Sequence, residues 1–377
     1  MFENLSLYTL QQLWWIIISL LGGLFVFLTF IQGGQTLLNT LAKNDIEKSM
    51  LINSLGRKWE LGFTTLVLFG GALFAAFPLF YATSFGGAYW VWLAILFCFI
   101  IQAVSYEFRK KPNNFLGSKT YEVFLYINGS LGVILIGTAL STMLSGAMFS
   151  LNEYNFVEWH TPYRGLEAIL NPYNFLLAFS MFFFARITAS AYFINNIDYT
   201  IIQDRARKAI LINTLLFLPF FLGFVAWLCF KDGFVYELST KIVYTEPKKH
   251  LSTFCNIPIL GGIFALGVII VLGSIYCAAF TQKTSCIKPL GTGIVLTVTS
   301  ILVNIGLDSS VFYPSLSDIQ SSLTIQNASS SKYTLTVMSY VALLVPFVLA
   351  YIAYVWYAMD KTSITEQEIV NTKEELY

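Results

Sequence analysis

Histidine is almost missing from this chain: the 377 residues hold two, His160 and His250. Charge is scarce as well, with 11% Asp, Glu, Lys and Arg, where soluble domains carry about 25%. A net charge of +1 leaves no basic footprint for nucleic acid. Cysteine is sparse: Cys98, Cys229, Cys255, Cys277 and Cys286 form no Cys-x-x-Cys pair and read as small packing residues. No spacing suggests zinc or a hydrolytic triad, and no phosphate-binding glycine loop is present. Gly22-Gly23, Gly33-Gly34, Gly70-Gly71 and Gly261-Gly262 read as close-packing points between helices. The first residues lack a basic run ahead of the apolar stretch, which argues against a cleavable signal peptide.

What fills the chain is apolar. Hydrophobic residues make up 56%, and 34 Phe, 21 Tyr and 8 Trp suit aromatic belts at bilayer surfaces. Mean hydropathy of +0.67 over this length describes a polytopic membrane protein. A span takes about 20 mostly apolar residues. Nine such runs are expected as helices, at 12–32, 60–81, 88–107, 120–145, 172–196, 209–229, 257–280, 289–306 and 334–357. None alternates with period two, so the fold class is all-α, with backbone hydrogen bonds closed inside each helix. The second and third runs are nearly continuous, and Gly86-Gly87 reads as a tight hairpin between them. The whole of 1–377 reads as one integral membrane domain without internal repeats, ending in a polar tail at 358–377.

Nine spans put the termini on opposite sides. With the N-terminus outside, the cytoplasmic segments hold fifteen Lys and Arg and the outer segments six, Arg186 lying within a span. The positive-inside rule favours that orientation, although loop 230–256 carries four lysines against the trend. Loops 146–171 and 307–333 join it outside, and both histidines fall in outer loops. A haem needs an axial His, Met, Cys or Tyr. With no histidine in a span, and Met143, Met148, Met181 and Met338 read as gap-fillers, the chain alone is expected to bind no haem.

Charge inside a span marks a candidate site. Arg186, in MFFFARITAS, reads as a contact to carbonyls or a carboxylate on a facing helix or partner. Glu60 opens an uncharged run from Leu61 to Phe85 and follows Lys58 and Trp59. It is either a carboxylate favoured by the helix dipole or a proton entry point beside a low-dielectric interior. Glu107, with Arg109 and two lysines, reads as a solvated boundary cluster.

Several stretches carry a resemblance: LINSLGRKWE, GGALFAAFP, YATSF, LNPYNFLLA and NASSSKYTLTVM. On these the chain resembles subunit II of the cytochrome bd quinol oxidases nearly end to end. FIQGGQTL and YEFRKK resemble the Bacteroidetes-type branch. The resemblance implies two four-helix bundles plus one peripheral helix, in the bacterial inner membrane. It implies a heterodimer with subunit I, which carries haem b, haem d and the quinol site, possible small single-span accessory subunits, and bound lipid or quinone. It also implies proton delivery through the carboxylate at Glu60, with Trp59 and Lys58 as neighbours. Two departures stand out. Better-studied members follow the Trp with Asp and a Gly-Asn-Gln-like run, whereas Trp59 precedes Glu60-Leu61-Gly62-Phe63. They also carry a Gly-Phe-Asp motif where this chain reads Thr29-Phe30-Ile31-Gln32-Gly33, without an acid. A secondary transporter and a purely structural scaffold are the competing readings.

Overall fold

A computed structural model describes residues 2–111 and 114–371. Among them nine helical segments are long and apolar enough to cross a membrane. These are α1 (Leu7–Leu41), α2 (Asp45–Ala76), α3 (Tyr89–Phe108), α4 (Ser118–Ser145), α5 (Pro172–Asn196), α6 (Thr200–Phe230), α7 (Pro258–Phe280), α8 (Ile287–Gly306) and α9 (Lys332–Asp360). Residues 372–377, the end of the expected tail, lie outside the described residues.

Most of the expected runs recur within a few residues, because an uninterrupted apolar stretch in lipid closes its hydrogen bonds as helix. The connection after α2 differs. The helix stops at Ala76, not at 81, and Phe77 leaves helical geometry (φ −132°, ψ 64°). Pro78 is the cause: its ring disfavours helical geometry in the preceding residue. Pro78–Tyr81 and the π-turn Ala82–Gly87 then wind onward to α3. In place of a tight Gly86-Gly87 hairpin, the connection is helical between two breaks, at Phe77 and at Ala88 (φ −82°, ψ 45°), the residue after Gly87. Gly87 serves close approach, since a Cβ there would meet Trp159 Nε1 at 2.1 Å. The sixth run starts nine residues early, because the polar Thr200–Lys208 stretch continues the helix past the apolar part.

Helix α1 is the hub. It packs against α2, α5, α8 and α9, and its apolar window is 72% buried, against 17% for α9. The segments between α4 and α5, α6 and α7, and α8 and α9 interlock into a cap at one end. Strands β1 (Phe149–Leu151) and β2 (Val157–Trp159) form one antiparallel hairpin, with Phe149 opposite Trp159. β3 (Gly233–Tyr236) and β4 (Val243–Glu246) form another. Ala147 pairs with Ser315 and Val235 with Ser310, so loops from three parts of the chain share backbone bonds.

Candidate functional site at the opposite end

The end away from the cap gathers Lys58, Trp59 and Glu60. Within α2 the helix Asp45–Gly56 ends, a turn at Arg57-Lys58 follows, and Trp59–Ala76 begins. Glu60 lies in the first turn of that helix, where the positive end of the dipole favours a carboxylate. Its side chain is exposed, and no hydrogen bond or ion pair links it to another described residue.

Lys58 takes the opposite course. Its side chain is fully buried, with Nζ 3.0 Å from Asp360 Oδ1 and 4.6 Å from the centre of the Trp356 ring. The same Asp360 oxygen accepts from Asn196 Nδ2 (3.0 Å) and Tyr192 OH (3.3 Å). The ammonium therefore ties α2 to the end of α9 and does not stand beside the Glu60 carboxylate. Trp59 stacks on Tyr106 of α3, with centroids 6.3 Å apart.

Behind Trp59 lies a buried polar cluster. Tyr106 OH donates to Gln32 Oε1 (3.0 Å), and Gln35 Nε2 reaches both groups at 3.0 Å. Asn128 Nδ2 donates to Gln35 Oε1 at 3.0 Å and to Gln102 Oε1. Gln102 is 0% and Gln35 1% exposed, so these amides depend on one another for hydrogen bonds. Charge, which marks candidate sites within spans, does not mark this cluster. Amides at Gln32, Gln102 and Asn128, inside otherwise apolar runs, were the available signal.

Arg186 of α5 adjoins this cluster. Its Nε donates to Asn213 Oδ1 of α6 (2.7 Å), and Nη1 donates to Thr36 Oγ1 (2.9 Å) and to Thr36 O (3.3 Å). Its described partners are thus neutral oxygens on α1 and α6. Nearby, Arg109 is buried and donates to Glu122 Oε1 (2.8 Å), and Lys48 pairs with Glu122 Oε2 (2.8 Å). Of the solvated cluster expected around Glu107, Lys111 pairs with Glu107, whereas Arg109 turns inward to Glu122.

The histidines sit in the cap. His160 is exposed, and its ring lies 2.8 Å from Ser150 Oγ. His250 is not in a loop; it is buried in the short helix Lys249–Asn256, with Nδ1 2.9 Å from Asn304 Oδ1. Burial pushes its pKa down to about 4. Lys231 Nζ donates to Leu144 O (2.6 Å), and burial pushes it down to about 8. Burial alone would raise Asp308, but hydrogen bonds from Lys249 and Asn256 hold it below the usual carboxylate range. No described group of three or more His, Cys, Asp and Glu is placed to hold a metal. An apolar cavity of about 210 Å³, bounded by Val26, Phe30, Met181, Phe217 and Ile294 among others, has no histidine in its wall. Of the residue types that ligate haem, Met181 is the one among the described lining residues.

The sequence profile described as cytochrome bd terminal oxidase subunit II matches residues 10–359. The chain belongs to this family. It is 30% identical to cytochrome bd-I ubiquinol oxidase subunit 2 of Escherichia coli K12, over 98% of each chain. It is 28% identical to cytochrome bd ubiquinol oxidase subunit 2 of Bacillus subtilis, over 94% of this chain and 96% of that one. The solved bd oxidase of Geobacillus thermodenitrificans shares the fold, with a TM-score of 0.63 at 13% identity, covering 92% of this chain and 98% of that chain.

Proposed function

We propose that this chain is the haem-free subunit II of a bd-type quinol:oxygen oxidoreductase, forming a heterodimer with a subunit I that carries haem b, haem d and the quinol site. Reduction of dioxygen to water consumes protons as well as electrons. Glu60 is our candidate for taking those protons from the cytoplasm. The observation that carries this reading is a solitary exposed carboxylate in the first turn of a helix whose remaining residues are uncharged. A group there exchanges protons with bulk water and passes them on when its pKa lies near the working pH.

The direction of transfer follows from the neighbours. Amides orient protons through hydrogen bonds but relay them poorly, and the cluster behind Trp59 is mostly closed on itself. Glu60 points out of the chain instead. Onward transfer therefore runs across the boundary to subunit I, while Lys58, Trp59 and the amide cluster hold the Glu60 turn in place. We read Arg186 as a helix-locking contact. The grouping into two four-helix bundles with α9 peripheral, the N-terminus outside and C-terminus cytoplasmic, and room for small single-span subunits, lipid or quinone belong to the same proposal. The low burial of α9 favours its peripheral place. FIQGGQTL and YEFRKK supply Gln32, Gln35 and Tyr106 of the cluster, which fits a Bacteroidetes-type branch that replaced an acid by amides.

Affinity purification of this chain from its native membranes tests the assignment. It should bring down a haem-containing partner and quinol oxidase activity. A haem-free monomer that binds a solute would favour the transporter reading instead.

A further inference from the structure

The turn between α7 and α8 holds a thiol pair. Cys277, in the last turn of α7, is partly exposed, and Cys286, just before α8, is buried. The turn brings their sulfurs to 2.9 Å, about 1 Å longer than the ~2.05 Å of a covalent S–S bond.

The surroundings are basic. Arg207 of α6 reaches into the turn and donates Nη1 to Ala278 O (2.7 Å) and to Thr281 O. It is 8% exposed, pairs with no described carboxylate, and leaves Nε and Nη2 buried without partners. Its charge and that of Lys283 act on this thiol pair. Thr281 Oγ1 stands 3.4 Å from Cys277 Sγ. Reactive cysteines occupy such electropositive, partly exposed places, and redox-sensing ones sit beside a resolving thiol.

We propose that Cys277 and Cys286 are a reversible oxidation site for hydrogen peroxide, with Cys277 the attacking thiol and Cys286 the resolving one. The Cys277 thiolate attacks peroxide. An S–O bond forms, the O–O bond breaks, and the departing oxygen takes up a proton and leaves as water. The Cys286 sulfur then attacks the sulfenic acid. The S–S bond forms, the S–O bond breaks, and a second water leaves with the Cys286 proton. The two sulfurs together lose two electrons, and peroxide gains them. A dithiol reductant returns the pair to thiols by thiol–disulfide exchange and is itself oxidised to a disulfide. The positive-inside reading places this turn in the cytoplasm, where disulfides are transient, so the resting state is the thiol pair.

The intact oxidase complex in membranes is treated with graded hydrogen peroxide, blocked with N-ethylmaleimide, digested and analysed by mass spectrometry. A Cys277–Cys286 disulfide should form with peroxide and vanish with dithiothreitol. In Cys286→Ser the cross-link should be lost and dimedone should capture a sulfenic acid at Cys277, with unchanged basal turnover. The wild-type titration decides even if that variant fails to assemble. Both thiols staying fully blocked by maleimide at peroxide levels that oxidise exposed Cys255 would overturn the proposal. So would a disulfide present before peroxide, or dimedone capture at wild-type Cys277 without a cross-link.

Discussion

Lys58 is fully buried and Glu60 is exposed, although only Trp59 separates them. The helix start explains it: the turn at Arg57-Lys58 directs one side chain to Asp360, and the first helical turn presents the other outward. Breaking a buried ion pair from one side costs about 3–5 kcal/mol, because the remaining charge is stranded. Lys58→Met should lower the stability of the purified complex by that order. Lys58→Met with Asp360→Asn should recover most of it, since the Asn oxygen still accepts from Tyr192 and Asn196. Thermal unfolding in a double-mutant cycle checks this, and a double variant no more stable than the single one would contradict it. Arg186 is a second such residue. Arg186→Leu strands Asn213 Oδ1 and removes the charged donor from both Thr36 oxygens, while Thr36 Oγ1 keeps its bond to Gly33 O; hydrogen bonds to charged groups are worth about 1.5–3 kcal/mol each. The yield of assembled complex should fall while the haem spectrum of what assembles stays normal. Unchanged yield would remove the helix-locking role.

The helices were legible from apolar run length alone; their irregularities were not. The Phe77 break follows from Pro78, a local signal that the longer apolar run masked. The early start of α6 has no hydropathy signal, because its first turns are polar. The sequence of the cap segments suggests plain loops, yet they contain two hairpins and a helix that buries His250 against Asn304. Each cap segment is short, and the ordering comes from backbone pairing between distant segments, which a single-sequence pattern does not reveal. The cap also carries a pH dependence. His250 has a folded pKa of about 4, below its ordinary value of 6.5. Between those values the unfolded chain binds the extra proton and the folded one does not. The contribution is therefore present above pH ~6.5 and is lost as pH falls through about 4, on the order of 3 kcal/mol in all. Melting temperatures of wild type and His250→Gln across that range should converge at the acid end. Parallel curves would refute the assignment.

At the scale of the molecule, fold class and family could be read from the sequence: hydropathy gave the spans, and long motifs gave the kinship. The site was only half legible. Glu60 and Arg186 stood out as charges at or within apolar runs, whereas the Gln32, Gln35, Gln102, Asn128 and Tyr106 cluster depends on bringing α1, α3 and α4 together. The partner of Lys58 lies some 300 residues away in sequence, beyond any local pattern. Proton delivery through Glu60 is the central claim, and steady-state quinol oxidase turnover of assembled, haem-normalised Glu60→Gln enzyme tests it most directly. Gln keeps the size and hydrogen-bonding capacity but does not titrate. Blocking an obligatory proton step should slow turnover at least tenfold, about 1.4 kcal/mol of barrier, while Glu60→Asp retains much of the rate. A carboxylate that serves only the helix dipole is worth about 0.3–1 kcal/mol of stability and leaves turnover near normal. Glu60→Gln enzyme running at more than about half the wild-type rate, well short of that tenfold loss, would contradict the account.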